Sequence, residues 1–376
     1  MEDGRGPVAR MVTLGVEEEY LLLDAETALP VPKAPQILAA AGLNPMLSCD
    51  EVQNELLQAQ VEVATPVCAE LDEVEDHVRR FRLALAAAAD GADCRVAAAG
   101  AAPVAGRRPV PVTDKPRYRM MLADAAHLVE EQLICGMHIH VAIPDRAAGV
   151  LALGRIRPWL PVLVAMGANS PLWEGGDTGF ASWRTVVFGR WPVSGPPPGF
   201  RDAADYEARV RALLATGVIR DRGQLYWQAR LSERYPTLEV RALDVQLSAG
   251  TAVMFAGIVR ALVVTALRES GGAAPFVSPE QEMVHAAGWH AARHGLNDVL
   301  VDPHSGRPRP AREVVESLLE HLTPALDEAG DTVRVTSSVH RLLDQGTGAA
   351  LQREAMSRGG LDSVVELIAP LPKPGP

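Results

Sequence analysis

Lysine is nearly missing from this 376-residue chain: Lys33, Lys115 and Lys373 are the whole complement among 36 basic residues. None stands in a glycine-rich loop, which excludes the GxxxxGK[ST] phosphate loop. Any nucleotide chemistry must therefore use arginine, backbone amides or carboxylate-bound metal. Cysteine is scarce too. Cys49, Cys68, Cys94 and Cys135 stand far apart with no CxxC pair, and a reduced cytoplasm is the natural setting. Positive charge is outweighed, 36 basic residues against 47 acidic ones leaving a formal −11, and this excludes a basic nucleic-acid binder as the default class. Long apolar runs are absent as well. Residues 150–168 and 252–267 are the most apolar, but Arg155, Arg157 and Arg260 interrupt them, short of the roughly 20 residues that span a bilayer. The opening MEDGRGPVAR has no apolar stretch of the kind a secretory signal needs.

What is present is an ordinary globular balance, 48% hydrophobic and 22% charged, enough to bury a sizeable core. Residues 11–24 read as an apolar–polar strand, after which Pro30, Pro32 and Pro35 enforce an irregular crossing. Leu71, Val74, Val78, Phe81 and Leu85 recur at helical spacing in a segment that is acidic at its start, the pattern of an amphipathic helix. Further strands are expected at 95–100, 134–143, 225–230 and 237–247. Further helices are expected at 117–132, 145–168, 202–217, 249–270, 278–294, 311–322 and 332–345. Residues 173–200 form a long loop with six aromatics, too aromatic for disorder and long enough to be functional. Short, widely spaced strands with helices gathered toward the C-terminal side predict an α+β fold with an antiparallel or mixed sheet.

Four strand candidates carry the chemistry. In Gly15-Val16-Glu17-Glu18-Glu19-Tyr20, Glu17 and Glu19 share a face by strand periodicity, and three adjacent carboxylates repel unless water or a cation screens them. Glu62 sits between Val61 and Val63 shortly before Pro66; Glu55, earlier in the same stretch, would share its face only if the intervening residues were helical. In Cys135-Gly136-Met137-His138-Ile139-His140-Val141 two imidazoles at i, i+2 point one way, suited to a metal or a phosphate, with Cys135 on the opposite face. Glu239 and Arg241 alternate in the same manner. Singly, each motif is explained by a solvated strand edge, a core histidine or a surface ion pair. On one sheet, they place Glu17, Glu19, Glu62, His138, His140, Glu239 and Arg241 on a single polar face. Oxygen donors in that number favour Mg²⁺ or Mn²⁺ over zinc, and Mg²⁺ bridges carboxylates to substrate phosphates. Arg184 and Arg190 in the aromatic loop, and Arg230 at a strand end, bring the planar fork that suits carboxylate and phosphate. His290 and His294 have i, i+4 spacing, but HAARH lacks the glutamate of HExxH, and an exposed or structural helix explains them better.

Five strings, TLGVEEEYLLLD, ELLQAQVEVATP, CGMHIHVAIPD, ANSPLWEGGDTGFASWRTVVFGRWPVSGP and YPTLEVRALDV, resemble in order and spacing the carboxylate–amine ligases of the glutamate–cysteine ligase type 2 family, from about Val12 to Leu367. The resemblance implies a single catalytic domain over residues 10–368 with a flexible Pro/Gly tail at 369–376. It implies a six-stranded antiparallel or mixed sheet curved into a funnel and covered by helices, as in the glutamine synthetase superfamily. It also implies cytoplasmic, ATP-dependent ligation with Mg²⁺ or Mn²⁺. Glutamate's side-chain carboxylate attacks the γ-phosphate of ATP, and an amine, cysteine in the namesake reaction, displaces phosphate from the acyl phosphate. Carried over, Glu17, Glu19, Glu55, Glu62, His138 and Glu239 resemble metal positions, and Glu19, His140 and Arg241 resemble nucleotide positions. Arg241, Arg184 and Arg230 resemble the catalytic positions that handle acyl phosphate or substrate carboxylate. Small-molecule substrates and a homodimer are implied; nucleic acid and membrane are not. Two other readings of the residues stay open: a metal-dependent hydrolase using His138 and His140, and a ligand-binding homologue without turnover.

Overall fold

The computed structural model describes residues 12–42, 48, 51–104, 106, 109–270 and 278–370. Cys49, Arg10 and most of the expected tail lie outside them. Seven strands share one sheet: β1 (Leu14–Asp24), β2 (Val52–Asn54), β3 (Gln60–Ala64), β4 (Cys94–Ala97), β5 (Gly136–Ala142), β6 (Ala229–Leu231) and β7 (Thr237–Asp244). Six of them run in the order β6-β7-β5-β1-β3-β2, and β4 pairs with β1 off this path. Every pairing is antiparallel. The α+β expectation holds, with one strand more than the resemblance implied, because β1 outruns β5. Leu14–Glu18 pair with β5, while Leu21–Asp24 pair with β4.

Alternation decides which face is covered. Along β1, Leu14, Val16, Glu18 and Tyr20 are buried while Gly15, Glu17 and Glu19 are partly open. The apolar side chains of that face, Leu14, Val16, Met137, Ile139, Val141, Leu238 and Val240, join one core with Phe255, Ile258, Val259 and Leu262. Burying each such side chain contributes about 1.5–3 kcal/mol. The helices that build this cover are α1 (Leu71–Asp90), α2 (Arg146–Ile156), α4 (Ala249–Ser270), α5 (Gln281–His294) and α6 (Ala311–Ala329), while α3 (Trp183–Phe188) lies outside this core. α4 lies against β5 and β1 and packs on α1, α2 and α6. Residues Arg146–Met166 and α4 are long and apolar enough to cross a membrane by composition, but 83% and 72% of their most apolar stretches are buried inside the protein. Their apolar surface is used on this core.

Local chemistry explains where the elements depart from expectation. α1 begins as its charges suggest, with Glu73 accepting from the Glu70 amide at 3.1 Å. The expected helix at 117–132 is broken into Pro116–Ala125 and His127–Glu130 by Ala126, whose φ is 47°. α6 runs through Pro324 to Ala329 rather than stopping before it. Ala34–Gly42 is helical within the proline-rich crossing. A C-terminal helix, Gly348–Ile368, is hidden in the sequence by Gly359 and Gly360, where the backbone leaves helical values. The long aromatic loop holds α3, whose first turn is capped by Ser182 Oγ accepting from the Thr185 amide at 3.3 Å.

Candidate active site

Register, more than composition, assembles the site. Gln53 pairs with Glu62, Glu62 with Glu19, Glu17 with His138, His140 with Glu239, and Glu239 with Arg230. Directly opposed residues project to one face, so this succession lays a polar band across β2, β3, β1, β5, β7 and β6. The band borders a cavity of about 650 Å³, a volume typical of small-molecule sites. Glu17, Glu19, Glu55, Glu62, His138, His140, Arg184, Arg230, Glu239 and Arg241 all line it. Arg190 does not; it pairs with Glu131 near the surface. Glu55 needs no helix to join the others. It stands at the turn between β2 and β3, and the hairpin folds it back toward Glu19.

The carboxyls fall into two electrostatic groups. Glu17 Oε2 lies 3.1 Å from His138 Nδ1 and Glu17 Oε1 lies 3.3 Å from His140 Nε2. Burial alone would raise Glu17, but the two imidazoles hold its carboxyl well below the ordinary range. Burial likewise opposes ionisation of Glu239, yet Arg241 and Arg230 keep it ionised, Arg230 Nε donating at 2.8 Å. Glu55 and Glu62 behave in the opposite sense. Burial, then the neighbouring Glu19, pushes Glu55 up to about 7. Burial, with Glu17, Glu55 and Glu19 following, pushes Glu62 well above its usual value. The imidazoles also diverge: burial and Arg241 lower His138, whereas for His140 the pull of Glu17 and Glu239 overcomes burial and raises it.

Among the described residues of the cavity, the donor atoms of Glu17, His140 and Glu239 converge within 4.8 Å of one another. His138 instead spans Glu17 and Glu19, its Nε2 3.6 Å from Glu19 Oε1. The buried Nε2 atoms of His138 and His140 face the carboxylates of Glu19 and Glu17 without hydrogen-bond geometry. Cys135 stays out of this group, its Sγ accepting from Gln60 Nε2 at 3.6 Å.

Arg184 reaches the cavity from α3. Only 3% exposed, it contacts the Arg241 carbonyl at 3.3 and 3.4 Å through its terminal nitrogens and keeps an unpartnered Nε. It can lie there because position 136 is glycine; a Cβ would overlap the guanidinium. Its helix is anchored by Asp244, a residue displaced by the irregularity between Val240 and Leu243 in β7. Asp244 accepts from the Asn169 amide at 2.8 Å, from Ser170 Oγ at 2.7 Å and from Ser182 Oγ at 2.9 Å. Ser170 Oγ in turn accepts from the Arg184 amide at 3.0 Å.

Several contributors escaped the sequence reading. Thr237, whose Oγ1 lies 2.9 Å from His140 Nδ1, and Tyr226 could have been found by extending the alternation back from Glu239 and from Arg230. Arg117 and Tyr118 line the cavity from a helix with no motif of its own. Glu18 points the other way. It is 1% exposed and pairs behind the sheet with Arg82 at 2.6 Å and with the Tyr20 hydroxyl.

Residues 13–367 match the family profile described as glutamate-cysteine ligase family 2. A protein of Saccharopolyspora erythraea, provisionally named glutamate–cysteine ligase 2-1, is 42% identical over 347 residues, 92% of this chain and 91% of its own. One of Salinispora arenicola, provisionally named glutamate–cysteine ligase 2, is 42% identical over 376 residues, covering 99% and 98%. Among solved structures, the glutamate–cysteine ligase of Francisella tularensis in complex with AMP aligns over 95% of this chain and 87% of its own, with a TM-score of 0.66 at 13% identity. A bifunctional glutathione synthetase from Pasteurella multocida aligns over 97% of this chain with a TM-score of 0.69 at 16% identity, and this chain spans 52% of its length. These distant structures share the fold. Profile match and sequence identity together establish the kinship: the chain belongs to the glutamate–cysteine ligase family 2.

Proposed function

We propose that this chain is an ATP-dependent carboxylate–amine ligase of the cytoplasm that joins the side-chain carboxylate of glutamate to an amine, cysteine being the namesake, through an acyl phosphate. The observation that carries the reading is the division of one cavity into an acidic side and an arginine side. Glu55 and Glu62 stand half-buried among other carboxylates, while Arg230 and Arg241 converge on Glu239 and Arg184 lines the same cavity. The chain's own residues fit a divalent cation: three donors already converge, two buried imidazole nitrogens face carboxylates without hydrogen-bond geometry, and the crowded carboxyls lack enough positive charge. Glu17, Glu19, Glu55, Glu62, His138 and Glu239 would hold Mg²⁺ or Mn²⁺, with Glu19, His140 and Arg241 toward the nucleotide. Such an ion supplies charge neutralisation on the transferring phosphoryl group.

The rest falls to positioning. Glutamate's carboxylate is ionised near neutral pH, so no base is required for its attack on the γ-phosphorus; the new O–P bond forms as the bond to ADP breaks. Arg241, Arg230 and Arg184 are guanidiniums fixed in place before reaction. In a site shielded from water, such groups stabilise developing phosphate charge without reorganising. The amine, in its neutral form, then attacks the acyl carbon, the C–O bond to phosphate breaks, and inorganic phosphate leaves while the proton lost by nitrogen passes to the departing phosphate or to solvent.

The test is ADP release with Mg²⁺ and glutamate across a panel of amines that includes cysteine. The expected result is amine-dependent ADP formation, abolished in Glu239→Ala and in Glu62→Ala while circular dichroism shows both variants folded. Full turnover in both would overturn the site assignment, and amide hydrolysis without ATP would favour a hydrolase.

A further inference from the structure

A second group of ligand-bearing side chains lies outside the cavity. His290 and His294 occupy successive turns on one face of α5, and their rings are 4.4 Å apart, centroid to centroid, tilted by 35°. The chain then turns at Gly295, whose φ is 59°, and brings Asp298 back against both. Asp298 Oδ2 lies 3.7 Å from His290 Nε2 and 3.7 Å from His294 Nδ1. All three donor atoms fall within 4.8 Å of one another. Bonds of about 2.0–2.1 Å from zinc to imidazole nitrogen or carboxylate oxygen set tetrahedral ligand atoms roughly 3.3 Å apart, so Asp298 needs to approach each ring by only a few tenths of an ångström, and side-chain rotation within the 4.8 Å triangle brings the two imidazole nitrogens together. The Val299 carbonyl oxygen stands 3.0 Å from His290 Nε2 and now takes that ring's N–H; metal binding replaces this proton and leaves the oxygen beside the ion. The side chains of His290, His294 and Asp298 are 31%, 34% and 47% exposed, so an ion can enter from solvent.

We propose that His290, His294 and Asp298 form a transition-metal site separate from the cavity, two imidazoles and one carboxylate with a remaining position open to water. Its donors differ in kind from those of the cavity. Imidazole in this proportion selects a borderline ion such as Zn²⁺, whereas a carboxylate-rich set suits Mg²⁺. The site pins the last turn of α5 to the segment that follows it. That turn is also the support of the aromatic loop, because the Ala292 carbonyl accepts from the Ala181 amide at 2.8 Å and from the Ser182 amide at 2.9 Å. Arg293 adds a hydrogen bond to the Gly179 carbonyl. Since Ser182 caps α3, an ion at Asp298 stiffens the platform on which Arg184 is mounted.

Equilibrium dialysis of the full-length protein against Zn²⁺, in excess Mg²⁺ to occupy the carboxylates of the cavity, measures this directly. Wild type is expected to retain one zinc ion per chain more than His290→Gln or His294→Gln. Glutamine is a good helix former and both positions are partly exposed, so the variants keep their fold, checked by circular dichroism. Equal retention by wild type and both variants overturns the proposal. Absorption of the Co²⁺-loaded protein gives a second readout. The visible band is expected to survive in Glu239→Ala and vanish in Asp298→Ala; loss in Glu239→Ala with survival in Asp298→Ala would assign the metal to the cavity and overturn it equally. Neither readout uses ligase turnover, so failure of the catalytic reading would show separately.

Discussion

Glu17 and Glu55 border the same cavity and are driven in opposite directions, one by two imidazoles and the other by burial beside another acid. For Glu55 the folded value of about 7 lies above the ordinary 4.5, so the folded chain holds a proton that the unfolded chain has released. This contribution to stability is complete below pH 4.5 and is lost as pH rises through 7. At 1.36 kcal/mol per unit it is on the order of 3 kcal/mol. Glu17 has the opposite sign: its contribution is present above the ordinary value and disappears as pH falls. Melting curves of metal-free protein should therefore show Glu55→Gln more stable than wild type at pH 8, with the advantage gone near pH 4.5; saturating Mg²⁺ should shrink it at pH 8. A second prediction concerns Gly136. Alanine there displaces the Arg184 guanidinium, and kcat for ADP formation should fall by about 10²-fold, the cost of an ångström-scale misplacement, with circular dichroism unchanged. The residues on the polar band were legible because alternation of two is a strong signal and charged side chains between Val, Ile and Leu mark it. Arg117 and Tyr118 were not, since a helix that delivers one edge of itself to a cavity leaves no period to read. Asp244 was obscured by the irregularity in β7: three residues from Arg241, it would fall on the opposite face of a regular strand, and the shift between Val240 and Leu243 turns it toward Arg184.

Among the elements, β1 stands out for carrying three consecutive glutamates into a sheet with a buried face. Shifting a strand by one residue turns every side chain over, and polarity alone cannot tell Glu18 from its neighbours. Arg82 on α1 settles the matter. It pairs with Glu18 at 2.6 Å and donates to the carbonyls of Gln246 and Leu247 at 2.9 Å, so a single carboxylate can be neutralised behind the sheet and the other two must face forward. Arg82→Met leaves Glu18 buried and unpaired and should cost about 3–5 kcal/mol in chemical denaturation. The double variant Arg82→Met, Glu18→Met should recover most of that loss. Recovery absent from the double variant would mean that packing of α1, and not charge, is what Arg82 supplies. The helices tell the complementary story of legibility. α1 and α4 follow from their periodicity, whereas Gly348–Ile368 was masked by a glycine pair and α3 by the aromatics around it, which signal contacts without revealing a short helix.

For the molecule as a whole, the fold class followed from strand spacing and from helices massed after β7; β4 was legible as the short apolar run RVAAAG, whereas β2 escaped because three residues leave no alternation to read. A sheet that gathers mutually repelling carboxyls on its open face should respond strongly to ligands that bear positive charge. Nucleotide with Mg²⁺ at a hundred times its Kd should add about 2.7 kcal/mol to stability, read as a rise in Tm that Glu62→Ala removes; no shift in wild type would count against nucleotide binding in the cavity. The sheet order has one more consequence, for synthesis. β5 sits between β1 and β7, and β7 leaves the ribosome long after it. Until Thr237–Asp244 arrives, β5 is an open strand edge with Met137, Ile139 and Val141 along it, free to pair with another growing chain. The strand that carries both cavity histidines is thus also where stalled translation turns into aggregation.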